Sequence, residues 1–208
     1  MAYSNFTTLE SVQTHLDLQL EEDRNLFTDI PEITPSGYLQ QTLDEYLPLA
    51  TAINTEKARS EFLIAPILAE VRRQIKAQIS LFSGTEFDVD KDRGLSGYCD
   101  YILSCSPEQY FIRTPIITIV EAKNENIKGG LGQCIATMVA AQLFNQQHNQ
   151  PLPAIYGAVS TGTVWKFIML KNNLASIDRL EYYINQIDKI LGILLHPIQT
   201  YLSNHLPE

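Results

Sequence analysis

The chain has 208 residues, 45% apolar and 19% charged, enough to bury one ordinary core and too apolar for a disordered segment. Three cysteines with no CxxC pair argue against a disulfide framework, and no apolar run approaches the ~20 residues of a membrane-spanning helix. The formal net charge of -9 disfavours unselective attraction to nucleic acid, but residues 1–61 carry 11 acidic and 3 basic side chains, which leaves the remainder a net charge of -1 and room for such a site.

The opening "MAYSNFTTLES" has neither a basic start nor an apolar stretch behind it, so no signal peptide is expected, and the protein is expected to be cytoplasmic with no membrane partner. Thr7-Thr8-Leu9-Glu10 has capping-box spacing, and Leu9, Val12, Leu16 and Leu20 recur near helical period, which predicts an amphipathic helix over 8–20. "TDIPEITPSGYL" is a connector, and "SGYLQQTLDEYLPLATAI" predicts a second helix ending before Pro48 or soon after it. Residues 1–54 therefore read as an acidic helical extension of a principal domain over 55–208.

"TEKARSEFLIAPILAEVRRQIKAQI" sets Phe62, Ile67, Leu68, Val71 and Ile75 on one side of a third helix and leaves Arg72, Arg73 and Lys76 to water, with a kink expected at Pro66. These basic residues read as a solvated face. Extended segments follow at 79–89, 95–105, 110–121 and 154–171, the last a hairpin around Thr161-Gly162-Thr163, with a helix over about 130–147 before it. "DVDKDRG" is a polar turn that imitates a calcium loop, but Gly94 falls one place late and Cys99 stands where the twelfth ligand would be. The closing stretch 180–206 reads as mostly helical, interrupted by Pro197, and Trp165 as core or a contact with a second copy.

The chemistry concentrates in "TIVEAKNENIKGGLGQ", Thr118 to Gln133. Side chains two apart on a strand share a face at ~7 Å, so Ile117, Ile119, Glu121 and Lys123 are expected on one side of a strand that ends in charge. Asp100 interrupts the otherwise apolar strand "GYCDYILSC", an expensive position unless a donor or cation satisfies it. If the two strands are antiparallel neighbours, Asp100 and Glu121 face one another, and an oxygen-only pair of this kind suits Mg2+ or Mn2+. Lys123 would then orient a water or stabilise charge on a phosphate.

Asp100, Glu121-Ala122-Lys123 and Gln133, in this order, resemble the PD-(D/E)XK nuclease superfamily, also called restriction endonuclease-like, over about residues 55–170. The resemblance implies an α/β fold with an αβββαβ core, a mixed central sheet flanked by helices. It also implies that Asp100 and Glu121 bind the metal, that Lys123 assists the attacking water, that Glu61 on the first core helix joins the ligands, and that Gln133 serves the site from the next helix. Cys99 stands where that family often has proline, and Thr137 where one subgroup has tyrosine. "NIKGGLGQ" reads as a flexible turn that carries Gln133 to the site. The function implied is Mg2+- or Mn2+-dependent hydrolysis of phosphodiester bonds in DNA, with a homodimer as the simplest way to cut both strands. The competing reading is a binding or scaffold subunit with the same fold and no turnover.

Overall fold

The computed structural model describes residues 2–205. Its helices are α1 (Leu9–Leu16), α2 (Gly37–Ile53), α3 (Glu56–Arg59), α4 (Ala65–Gln74), α5 (Ile127–Gln147) and α6 (Ile187–His205). Its strands are β1 (Gln19–Glu21), β2 (Ser80–Glu86), β3 (Tyr98–Ser104), β4 (Ile116–Ala122), β5 (Ile155–Ser160), β6 (Val164–Lys171), β7 (Leu174–Ile177) and β8 (Tyr182–Tyr183). One mixed sheet runs β1-β7-β6-β5-β4-β3-β2, with β8 beside β6. Only β4–β5 and β1–β7 are parallel. The chain is thus α/β, with α5 and α1 packed on one face of the sheet and α2, α4 and α6 on the other.

Side-chain caps set several boundaries. Thr8 accepts the Ser11 N–H at 3.1 Å and opens α1; Ser36 accepts the Leu39 N–H at 3.3 Å and opens α2. The expected helix over 8–20 stops at Leu16, because Asp17 turns left-handed at φ 53° and Gln19–Glu21 pairs with β7. The N-terminal residues therefore supply a strand as well as helices, and Tyr3, Phe6 and Val12 enter the core. β7 was not anticipated; it follows the two-residue turn Asn172-Asn173, with Asn172 at φ 54° and Lys171 paired to Leu174, a hairpin signal of short polar residues.

None of Pro48, Pro66 and Pro197 breaks its helix; α2 runs through Pro48 to Ile53. Pro66 lacks an N–H and its ring crowds the carbonyl four residues earlier, and the chain answers with a π turn over Ser60–Ile64 in which Ala65 N–H reaches Ser60 O, so α3 and α4 form one continuous helix. Pro197 is buried inside α6, where Ile190, Leu191, Leu194 and Ile198 pack on the sheet and offset the lost bond. Before α6, the expected helix over 180–206 is replaced by β8 and a 3-10 turn over Ile184–Gln186, and Leu206 lies outside the described residues.

Helix α5 begins at Ile127, earlier than expected, with Asn126 accepting the Gly129 N–H at 3.0 Å. The glycines of "GGLG" therefore lie within helix, not in a flexible turn. Their small size serves close packing: a Cβ on Gly132 would collide with the Phe6 carbonyl, and one on Gly130 would lie 2.7 Å from Val159 Cγ1. At the other end of α5, buried Asn145 receives Ile116 N–H at 2.8 Å and donates to Ile116 O at 2.7 Å, pinning the start of β4.

Candidate functional site

The β3–β4 ladder pairs Leu103 with Thr118, Ile102 with Ile119 and Tyr101 with Val120. One step further along the ladder lie Asp100 and Glu121, as antiparallel neighbours require. There the Asp100 carboxylate takes over from the backbone, accepting the Ala122 N–H at 2.7 Å. On the far side of β3, Gly84 of β2 falls opposite Asp100 with φ 60°, so no side chain covers that flank.

The ladder also corrects the sequence expectation for β4. Its register shifts between Leu103 and Ser104, a bulge that turns Ile117 to the opposite face, where it packs with Val120 and Ala122. Ile119 lies on the α5 side. Glu121 shares that side, since both Cys99 and buried Cys134 of α5 feel its charge.

Glu121 is 2% exposed, and its Oε1 lies 2.6 Å from Lys123 Nζ. Burial pushes its carboxyl up to about 8; the Asp100 carboxylate adds to the rise, and Lys123 opposes it. Burial works against the charge of Lys123, but Glu121, with Glu56 and Asp100 behind it, holds the ammonium above its ordinary value. The Lys123 backbone donates to Ser160 O at 2.8 Å, which continues the pairing with β5 and fixes where the side chain begins. The Lys123 stem lies against α5: a Cβ on Gly130 would come within 3.0 Å of its Cγ.

A cleft of about 400 Å³ opens beside Asp100 and Ala122, closed on the helix side by Glu56, Ser60 and Glu61. The π turn places this wall, and the Tyr101 hydroxyl holds it, 2.7 Å from Ser60 Oγ and 3.0 Å from Ser60 O. Glu61 faces the cleft with its side chain 57% exposed and 3.6 Å from Lys57. Gln133 sits in the second turn of α5, half-buried, and among the described residues no hydrogen bond joins its side chain to Asp100, Glu121 or Lys123.

The fold therefore brings Asp100, Glu121 and Lys123 together at the end of β3 and β4, sets Glu61 in the cleft that Asp100 lines, and leaves Gln133 on the adjoining helix. Among the described residues no group of three or more His, Cys, Asp or Glu is placed to hold a metal ion. The donor pair available is Asp100 with Glu121, both oxygen ligands. Asn124 Oδ1, one residue beyond Lys123, is buried with no hydrogen-bond partner among the described residues, an uncommitted acceptor.

Sequence reasoning passed over Glu56, Tyr101 and Asn124. Glu56 lies on the same helix as Glu61, and nothing in the spacing tells which carboxylate turns toward Lys123. Cys99 and Cys134 are buried thiols and Cys105 is half-buried; Trp165, expected in the core or at a contact with a second copy, is fully buried and donates to Gly162 O at 3.3 Å. Among the described residues no helix is long and apolar enough to cross a membrane. No protein-family model and no curated protein matches the chain.

Proposed function

We propose that the cleft at the end of β3 and β4 is the active site of a divalent-cation-dependent nuclease with a restriction endonuclease-like core, hydrolysing phosphodiester bonds in DNA. The observation that carries the reading is the juxtaposition of Asp100, beside the cleft, with a buried Glu121 bonded to Lys123, three chemically matched groups at the end of two neighbouring strands. The order helix, three strands, helix, strand from Glu56 to Ser160 supports it.

In this reading Asp100 and Glu121 hold Mg2+ or Mn2+, and their all-oxygen chemistry fits either ion. The donor set also bears on the cost of the site: burial raises Glu121 and the adjacent Asp100 carboxylate raises it further, and a cation between the two carboxylates would remove their repulsion. When bound, the ion supplies Lewis acidity toward a phosphate oxygen and activates water. Lys123, kept protonated by Glu121, offers its ammonium to the attacking water or to charge developing on the phosphate. Glu61 and Glu56 flank the cleft and orient water or ion, and Gln133 lies one helix turn behind. A homodimer would present two such clefts to a duplex.

Cleavage of supercoiled, linear duplex and single-stranded DNA, with Mg2+, Mn2+ or chelator, tests the proposal. Cutting that requires metal and disappears in Lys123→Ala is the expected result; cutting that survives Lys123→Ala, or none on any substrate, overturns it. The bond between Lys123 and Glu121 and the pairing of Glu61 with Lys57 favour a second reading, a binding subunit without turnover. That reading predicts DNA binding with no cleavage.

A further inference from the structure

The carboxylate cleft is one of two openings between the same helix and the same strand. The second, about 730 Å³, is lined by Ala69, Arg72, Arg73 and Lys76 on the helix side and by Leu81 and Gln109 on the strand side. The chain folds back after α4 to enter β2, so helix and strand run in opposite directions. Glu61 therefore stands opposite Ser83 and Gly84 at one end, and Arg72 stands near Leu81 at the other. Between Glu61 and Arg72 the helix carries Ala65 and Ala69, and Lys76 follows its last turn beside the second opening.

The far end carries three cations, and no acidic side chain lines it. Two of the three are held in place by the protein. Arg72 Nε donates to Ile79 O at 3.1 Å, leaving the rest of its fork uncommitted to that bond. Arg73 lies 4.5 Å over the Tyr38 ring and 2.6 Å from Glu70, whose buried carboxylate is also served by Ser36 and Gln74. The edge of β2 is closed to an added strand, because the Gln109 side-chain amide accepts from Leu81 N at 3.3 Å and donates to Leu81 O at 2.7 Å. What remains open is a positioned set of N–H donors, which suits anions. The chain carries a net charge of -9, and the opening lined by Lys128, Lys166 and Arg179 also holds Glu22 and Asp178, whereas this one has no carboxylate in its lining.

We propose that this second opening holds phosphate: Arg72, Arg73 and Lys76 grip the backbone of a nucleic acid whose scissile bond lies in the carboxylate cleft, so that the two openings form one phosphate track. The inference rests on the nuclease reading and adds how an acidic protein holds its substrate. Eleven residues separate Glu61 from Arg72, a rise of ~16 Å, or about five nucleotide steps along one strand of a duplex.

The test is the salt dependence of binding to a short fluorescein-labelled DNA duplex and to its single strands, in calcium to prevent cutting. It compares the full chain with Arg73→Gln/Lys76→Gln, which spares the structural bond of Arg72. Loss of two phosphate contacts is expected to weaken binding at least ~10-fold at moderate salt and to lower the slope of log K against log salt by about 2, read well below the melting temperature, which loss of the Arg73–Glu70 pair lowers. A variant that binds with wild-type affinity and slope overturns the track and leaves the nuclease reading standing. Absence of DNA binding by the wild type also overturns it, whereas Lys123-dependent cleavage judges the nuclease reading separately. The single variant Lys76→Gln, at an exposed residue after the last turn of α4, guards against misfolding and should lower the slope by about 1.

Discussion

Lys123 Nζ and Glu121 Oε1 meet at 2.6 Å on one side of a strand end where the glutamate is almost wholly excluded from water. The pair is asymmetric. The lysine remains partly exposed, while the buried glutamate also lies next to a second carboxylate, so its protonation state is the more sensitive of the two.

That asymmetry predicts the pH dependence of stability. The folded-state value of Glu121, about 8, lies above its ordinary 4.5, so between these limits the native state keeps a proton that the unfolded chain releases. Stability should therefore fall as pH rises through this window, by at most ~1.4 kcal/mol per pH unit from this group, and level off above it. Glu121→Gln should remove the slope. Urea denaturation across the window decides: a wild-type profile no steeper than that of the variant would refute the assignment.

A divalent cation held by Asp100 and Glu121 must displace the proton on Glu121. Mn2+ or Mg2+ is then expected to raise the melting temperature more at pH 8 than at pH 6, with proton release on binding, since only the native state presents the pair. Asp100→Asn should abolish the effect. An equal shift at both pH values, or a shift surviving Asp100→Asn, would place any bound cation elsewhere.

Gly130 couples α5 to the lysine. Gly130→Ala must push aside Val159 and the Lys123 stem, at a cost of roughly 1–3 kcal/mol, and should lower any metal-dependent cleavage further than that loss of stability explains. Gly37→Ala, where an added Cβ meets nothing within 4 Å, should be neutral or stabilise by up to ~1 kcal/mol. Thermal denaturation of both variants, beside cleavage rates, separates packing from chemistry; an unaffected Gly130→Ala protein would show that the helix yields.

Asn145 tests the anchoring of β4. Asn145→Leu keeps the branched shape, with two methyl groups for the amide O and NH2, but strands the N–H and C=O of Ile116 in a dry core, for an expected loss on the order of 2–5 kcal/mol. A loss below ~1 kcal/mol in urea titration would mean that the strand start finds other partners.

Much of this architecture is local and was legible in the chain. The capping-box spacing of Thr7 and Glu10 located the start of α1 to within one residue, the cap being Thr8 on the Ser11 N–H, because a cap hydroxyl needs only the next turn's N–H. β2 to β6 follow runs of β-branched and aromatic residues, and the charged end of β4 follows from a change of side-chain type along one strand. Asp100 stood out because a carboxylate among apolar neighbours demands a partner, and its partner proved to be the Ala122 amide beside Glu121.

Tertiary structure decided the rest, for a common physical reason: pairing register and close packing depend on residues far apart in sequence. The bulge that turns Ile117 away from Ile119 exists only in the ladder with β3, and β1 becomes a strand only because β7 offers it an edge. The glycines of α5 look like a loop until Phe6 and Lys123 are laid against them. The charge of Glu121 is likewise no property of its own segment. It depends on how much of the core closes over the carboxyl, and on Asp100, twenty-one residues earlier, being brought to its side.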